Sequence, residues 1–236
     1  MIYLSIPFTD GKAAVYISLA EAGDMGANTE PEAANRAAFF RATGISEESR
    51  FPLVLEQIHS HVIYDASELC GQQRLLQGDG MISREPRAMA VSVADCVPIF
   101  LYDTRTGAMG AFHSGWKGTG IAAEGALRMV SDYGCRTEDM EAVIGPAIGG
   151  CCYQVERERY EFFLKTFGPE GVKNSKNSYS LNLKLINFDI LSKLNLKNII
   201  VSEDCTCCDR RFFSYRRAMA EGAHFSRMLA YINILE

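Results

Sequence analysis

Between residues 88 and 113 three apolar runs follow one another almost without pause, AMAVSV, VPIFLYD and AMGAFH. Only Ala94-Asp95-Cys96 separates the first two, and the turn sequence TRTG separates the last two. Runs of six or seven residues with β-branched and aromatic side chains read as strands. The next segment, TGIAAEGALRMVSDYG, has helical spacing through Ile121, Ala122, Leu127, Met129 and Val130, with Gly134 as its stop.

Elsewhere FPLVLEQ (51–57), EAVIGPAIG, NIIVSED and HFSRMLAYINI read as strands. ERERYEFFLKTFG and LNLKLINFDILSKLN read as helices, the first ending at Gly168. These elements interleave without the regular βαβ rhythm of a doubly wound sheet, which predicts an α+β fold with at least one buried sheet. There is no internal repeat, low-complexity run or Pro/Ser-rich linker, so residues 1–236 are expected to form one domain.

A formal charge of −5 argues against a nucleic-acid or anionic-membrane surface, both of which select clustered cations. No stretch approaches the roughly 18 apolar residues of a membrane span. The start, MIYLSIPFTDGK, has no basic segment before its apolar residues, so no signal peptide is expected and the protein is expected to be cytoplasmic. In that compartment eight cysteines point to metal binding, catalysis or plain burial rather than to a disulfide framework.

Three chemistry-bearing residues stand at predicted strand ends. His59 follows the segment 51–57, Cys96 follows the strand at 88–93, and His113 closes the strand at 108–113. Two histidines and a cysteine suit zinc with an open fourth position, whereas closed structural sites use four ligands. His61 competes with His59, because in an extended segment the two share a face. Cys96 and His113 also suit a nucleophile and its base. Cys205 and Cys208 have C-x-x-C spacing, but the nearest partner, GGCCY (149–153), is distant in sequence, and packing around a loop is the plainer expectation. Arg210, Arg211, Arg216 and Arg217, with Phe212, Phe213 and Tyr215 among them, suit either an anion pocket with aromatic walls or a solvated turn. In SGWKGTG, Gly118 and Thr119 are expected to start a helix whose free N–H groups attract an anion.

In order along the chain, QIHS (57–60), GDGMIS (78–83), VADCVPIFLYD (93–103), AFHSGWKGT (111–119), IGPAIGGCCYQV (144–155) and CTCCDRRFFSYRR (205–217) resemble the YfiH-like family, also called the laccase-domain or multicopper polyphenol oxidase family. The resemblance covers about residues 35–236 and implies a four-layer α/β/β/α sandwich with mixed sheets. It implies His59, Cys96 and His113 as metal ligands. Cys96, His113 and Asp95 then become the candidate catalytic residues, and Gln57, Arg36, Lys117 and Arg216 the candidate substrate-binding ones. The implied activity is zinc-dependent phosphorolysis of adenosine, inosine, guanosine and methylthioadenosine, with adenosine deamination. The implied partners are a purine nucleoside and phosphate.

The family name also carries a copper-dependent polyphenol oxidase, and some members are linked to peptidoglycan precursor editing. A multicopper centre needs far more imidazoles than the four in this chain. A metal-free hydrolase or deamidase using Cys96 and His113 is the third expectation. This chain departs from the family near its start, where VYISLAEAGDMG lacks the arginine of a Thr-Thr-Arg-x-Gly-Gly-like segment. Lys117 stands where arginine is usual, losing a bidentate fork. Asn35-Arg36 matches the family's Asn-Arg pair at the start of a helix and is expected to supply the missing cation.

Overall fold

The computed structural model describes residues 1–26, 30–45, 52–69, 76–176 and 178–235. The chain opens with two strands, β1 (Tyr3–Pro7) and β2 (Ala13–Ser18), then α1 (Glu30–Ala42). Next come β3 (Ile63–Asp65), β4 (Gly80–Ser83), β5 (Met89–Val93), β6 (Val97–Asp103) and β7 (Met109–Ser114). Helix α2 (Ile121–Tyr133) leads to β8 (Met140–Ile144), β9 (Gln154–Val155) and α3 (Arg157–Phe167). The chain ends with β10 (Val172–Ser175), β11 (Ser178–Leu181), α4 (Leu183–Ser192), β12 (Asn198–Val201), α5 (Tyr215–Glu221) and β13 (Met228–Ile234).

Two large sheets result, in the orders β1-β2-β13-β5 and β12-β8-β6-β7-β4-β3, with a small third sheet β10-β11-β9. The first is antiparallel throughout. The second is mixed, because β12 runs parallel to β8 and β3 parallel to β4.

The period of two explains the layering. In β13, Met228, Ala230 and Ile232 face a core shared with Phe100 and Tyr102 of β6 and Val143 of β8, which packs the two sheets face to face. Leu229 and Tyr231 point the other way, onto Phe39 and Phe40 of α1. In β6, Ile99 and Leu101 meet Ala122, Ala126 and Met129 of α2 and Ile186 of α4. The order is therefore helix, sheet, sheet, helices, as the resemblance implied. Strand β6 is buried along its whole length because helices cover one face and a sheet covers the other.

The elements β5, β6, β7, α2, β8, α3, α4, β12 and β13 fall where the sequence placed them, and Gly134 takes the left-handed conformation (φ 67°) that closes α2. Three expectations are corrected, and one hairpin is added. Residues 52–57 form only isolated bridges, Leu53 to Met89 and Glu56 to Gln77, rather than a strand, and Phe51 lies outside the described residues. The hairpin β1–β2 adds two strands in a segment that the sequence reading left unassigned. Asn35 and Arg36 lie in the middle of α1, not at its start. Helix α2 begins at Ile121 with Gly120 as its N-cap, so Gly118 and Thr119 precede it. Among the described residues no helix is long and apolar enough to cross a membrane.

Candidate functional site

The β6–β7 hairpin does the first part of the assembly. Its register sets Pro98 opposite His113 and Val97 opposite Ser114, so the residue before β6, Cys96, arrives beside the end of β7. Cys96 also marks the point where the chain leaves one sheet (β5) for the other (β6).

His59 comes from a different direction. It lies in the loop before β3 with a left-handed backbone, φ 61°, unusual for a side chain with a Cβ. That bend is held by the buried carboxylate of Asp79, which accepts the N–H groups of Ile58 (3.2 Å), His59 (3.0 Å) and Ser60 (2.6 Å) and the Ser60 hydroxyl (2.7 Å). Three successive amides wrapped on one anion form a nest.

The three side chains meet. His59 Nε2 is 3.8 Å from Cys96 Sγ, the two imidazoles stand edge to face at 4.8 Å, and the ligand atoms of His59, Cys96 and His113 all lie within 4.8 Å of one another. His113 Nδ1 bonds to Asp79 Oδ1 at 2.7 Å, which makes Nδ1 the protonated nitrogen and leaves Nε2 to ligate. Burial alone would raise the Cys96 thiol, but the hydrogen bonds and charges of His113 and His59 outweigh it and bring it down to about 6. Burial alone would lower His113, but the Asp79 hydrogen bond and then Cys96 push it up to about 9. The donor set, one thiolate and two imidazoles with an oriented carboxylate behind one of them, fits zinc with a fourth position left open.

Gly115 makes this packing feasible. A Cβ there would sit 2.7 Å from His59 Cδ2 and 3.2 Å from Cys96 Sγ. We therefore expect Gly115→Ala to weaken metal binding and activity by roughly 10²-fold through misplacement of His59. Metal titration of the variant checks this, and unchanged affinity would refute it.

His61 does not join the cluster. The turn at His59 breaks the extended geometry that would have put both rings on one face. His61 Nδ1 instead meets Glu124 Oε1 at 2.7 Å, and its Nε2 meets the Lys117 carbonyl at 2.9 Å.

The cluster lies on the wall of a cavity of about 780 Å³, within the range of small-molecule sites. Arg36, Gln57, Asp95 and Arg216 border the same cavity. Lys117 borders a neighbouring cleft with His61 and Glu124, beyond Trp116, and is not brought to the cluster. Gln57 bridges to β5, donating to the Ser92 carbonyl and accepting its N–H. Arg36 donates to the carbonyls of Met25 and Gly26. The Asp95 carboxylate is taken up by the hydroxyls of Thr206 (2.6 Å) and Ser214 (3.0 Å) and the Arg216 N–H (2.7 Å). Its geometry is that of a brace that positions the 205–217 segment. Arg216 donates to the carbonyls of Cys152 and Gln154 and lies over Tyr153.

Two residues were missed by sequence reasoning. Asp79 sits in GDGMIS, and a lone acid between two glycines at a buried strand start was a usable signal. Arg159, stacked on Trp116 at 4.3 Å and bordering the cavity, lies in a highly charged helix where nothing distinguished it.

The family described as multi-copper polyphenol oxidoreductase laccase matches residues 11–235. The chain is 31% identical to a purine nucleoside phosphorylase of Clostridium acetobutylicum, over 98% of this chain and 95% of that protein. Its fold resembles that of the Neisseria meningitidis protein NMB0706, at a TM-score of 0.84 and 22% identity over the whole of both chains. It also resembles the YfiH protein of Bacillus licheniformis, at a TM-score of 0.82 and 26% identity, covering 94% of this chain and 93% of that one.

Proposed function

The chain belongs to the multi-copper polyphenol oxidoreductase laccase family, the group that includes YfiH, and on that premise we propose that it is a zinc-dependent purine nucleoside phosphorylase that also deaminates adenosine. The observation that carries the reading is the His59–Cys96–His113 cluster on the wall of a cavity with room for a nucleoside and phosphate, also bordered by Arg36, Arg159 and Arg216. The whole chain acts as one catalytic domain, since the core between the two sheets draws on elements from both ends of the sequence.

His59, Cys96 and His113 would hold the metal, with Asp79 fixing the His113 tautomer. A zinc bound there supplies a Lewis acid and acidifies water towards neutral pH. In phosphorolysis a phosphate oxygen attacks C1′ of the ribose, the C1′–N9 bond breaks, and its electrons leave with the purine, which takes up a proton. The arginines bordering the cavity supply the positive charge that this dianion needs. Tyr153 and Trp116, each with one face beneath an arginine, offer their remaining ring surface to the base. Only two imidazoles reach the cluster among the described residues, which is too few for a multicopper centre.

A second reading rests on the lowered Cys96 thiol and the raised His113 imidazole, the polarity of a nucleophile and its acid. In it the protein is a metal-free cysteine hydrolase. One assay separates the two. Inosine with phosphate is expected to yield hypoxanthine and ribose 1-phosphate, with no base released when phosphate is left out. Adenosine is expected to give inosine with or without phosphate. Chelation should abolish both reactions. An enzyme untouched by chelators but killed by alkylation of Cys96 would overturn the zinc reading in favour of the second.

A further inference from the structure

We propose that Cys151, Cys152, Cys205 and Cys208 hold a second metal ion, a structural zinc in a tetrathiolate site separate from the His59–Cys96–His113 cluster. In sequence these residues form one adjacent pair and one C-x-x-C pair more than fifty positions apart. The fold closes that distance. Strands β8 and β12 are parallel neighbours, so the segments that follow them leave the sheet at the same end. They stay paired through an isolated bridge between Ala147 and Cys205 and through the Thr206 N–H to the Ala147 carbonyl.

The four sulfurs all lie within 4.8 Å of one another, with Cys152 Sγ 3.2 Å and Cys151 Sγ 3.6 Å from Cys208 Sγ. Four sulfurs about 2.3 Å from a common zinc stand about 3.8 Å apart along the edges of their tetrahedron. The observed separations, 3.2 and 3.6 Å for two pairs and none above 4.8 Å, bracket that edge, and every cysteine in the cluster is free.

The surroundings suit an anionic centre. The Gly149 N–H points at Cys205 Sγ from 3.1 Å. A Cβ on Gly149 would crowd Cys151 Sγ at 3.2 Å and Cys205 Sγ at 3.4 Å, so the loop wraps the sulfurs closely. The buried ammonium of Lys184 is anchored beside them on the carbonyls of Ser202 and Asp204, each at 2.6 Å. Its charge partly balances the net −2 of a zinc with four thiolates. With four protein ligands and no open position, such a site is structural rather than catalytic.

The clip would tie together two loops that frame the cavity. Arg216 donates to the carbonyls of Cys152 and Gln154, and Arg217 to those of Thr206 and Cys207. A metal at the sulfurs therefore fixes the backbone on which the Arg216 guanidinium rests. The assignment does not depend on what occupies the other cluster.

The test counts metal in full-length protein expressed with zinc and purified under argon without chelator. The variants are Cys151→Ser with Cys208→Ser, and His59→Ala with Cys96→Ala. The first pair is expected to carry one zinc equivalent fewer than wild type. The second pair is expected to retain one equivalent, and after exchange with cobalt to show the intense sulfur-to-cobalt charge-transfer absorption of a tetrathiolate. If the serine variant fails to fold, the His59→Ala, Cys96→Ala protein decides alone. Metal-free protein there, or a Cys152–Cys208 disulfide found by peptide mapping, overturns the proposal.

Discussion

Replacing His113 by alanine is expected to remove one metal equivalent and to lower phosphorolysis roughly 10³-fold, because a catalytic metal supplies several kcal/mol of transition-state stabilisation. The same loss is expected for Cys96→Ala. In the proposed reading both side chains are ligands of one three-donor centre, so removing either leaves too few donors to hold an ion tightly. Their effects should not add, because each already eliminates the shared centre. His61→Ala supplies the control. Its ring is engaged by Glu124 and the Lys117 carbonyl, so metal content should stay at the wild-type level and activity within about twofold. Full activity in metal-free His113→Ala would refute the zinc reading outright.

Asp79→Ala is expected to cost about 3–5 kcal/mol of stability, the range for removing one partner of a buried ion pair. Its carboxylate accepts from three consecutive backbone amides, the Ser60 hydroxyl and His113 Nδ1, and alanine strands all of them. Asp79→Asn keeps the shape but offers only one acceptor oxygen. It should weaken metal binding about 10–100-fold, as loss of a carboxylate behind a ligating histidine does. Burial alone would raise the Asp79 carboxyl, but the hydrogen bonds of His113 and then Ser60 hold it down to about 2, against an ordinary 3.8. The folded value is the lower one, so the stabilisation is complete above about pH 4 and is lost as pH falls towards 2. Urea unfolding of the metal-free proteins from pH 6 to pH 2 measures this, and Asp79→Asn should lack that acid limb. A wild-type midpoint with no decline between pH 4 and 2 would contradict the role given to Asp79.

How legible each part was in the sequence depends on the range of the forces involved. Strand β6, helix α2 and the Gly134 stop were readable because periodicity and turn chemistry are local. The pairing of β2 with β13 was not, because the two strands lie at opposite ends of the chain. The segment 52–57 looked like a strand by composition, yet its neighbours offer only two bridges, so composition alone could not decide its ladder. The family resemblance put Lys117 among the substrate-binding residues, but nothing local specified that it would face the cleft beyond Trp116.

The residue types by themselves settled a good deal: two strands on either side of Ala94-Asp95-Cys96, a histidine closing the next strand, and too few histidines for a multicopper centre. The antiparallel register of β6 and β7 then brings Cys96 beside the end of β7 at His113. What only the tertiary structure decided is the rest of the centre. His59 reaches the pair because a carboxylate twenty residues away bends its backbone into the left-handed region. Asp95 braces a segment more than a hundred residues distant. The four outer cysteines meet because β8 and β12 are neighbours in a sheet. Each of these contacts is made between segments that share no local pattern. Sequence spacing carries no information about such contacts until the packed sheets bring the segments together.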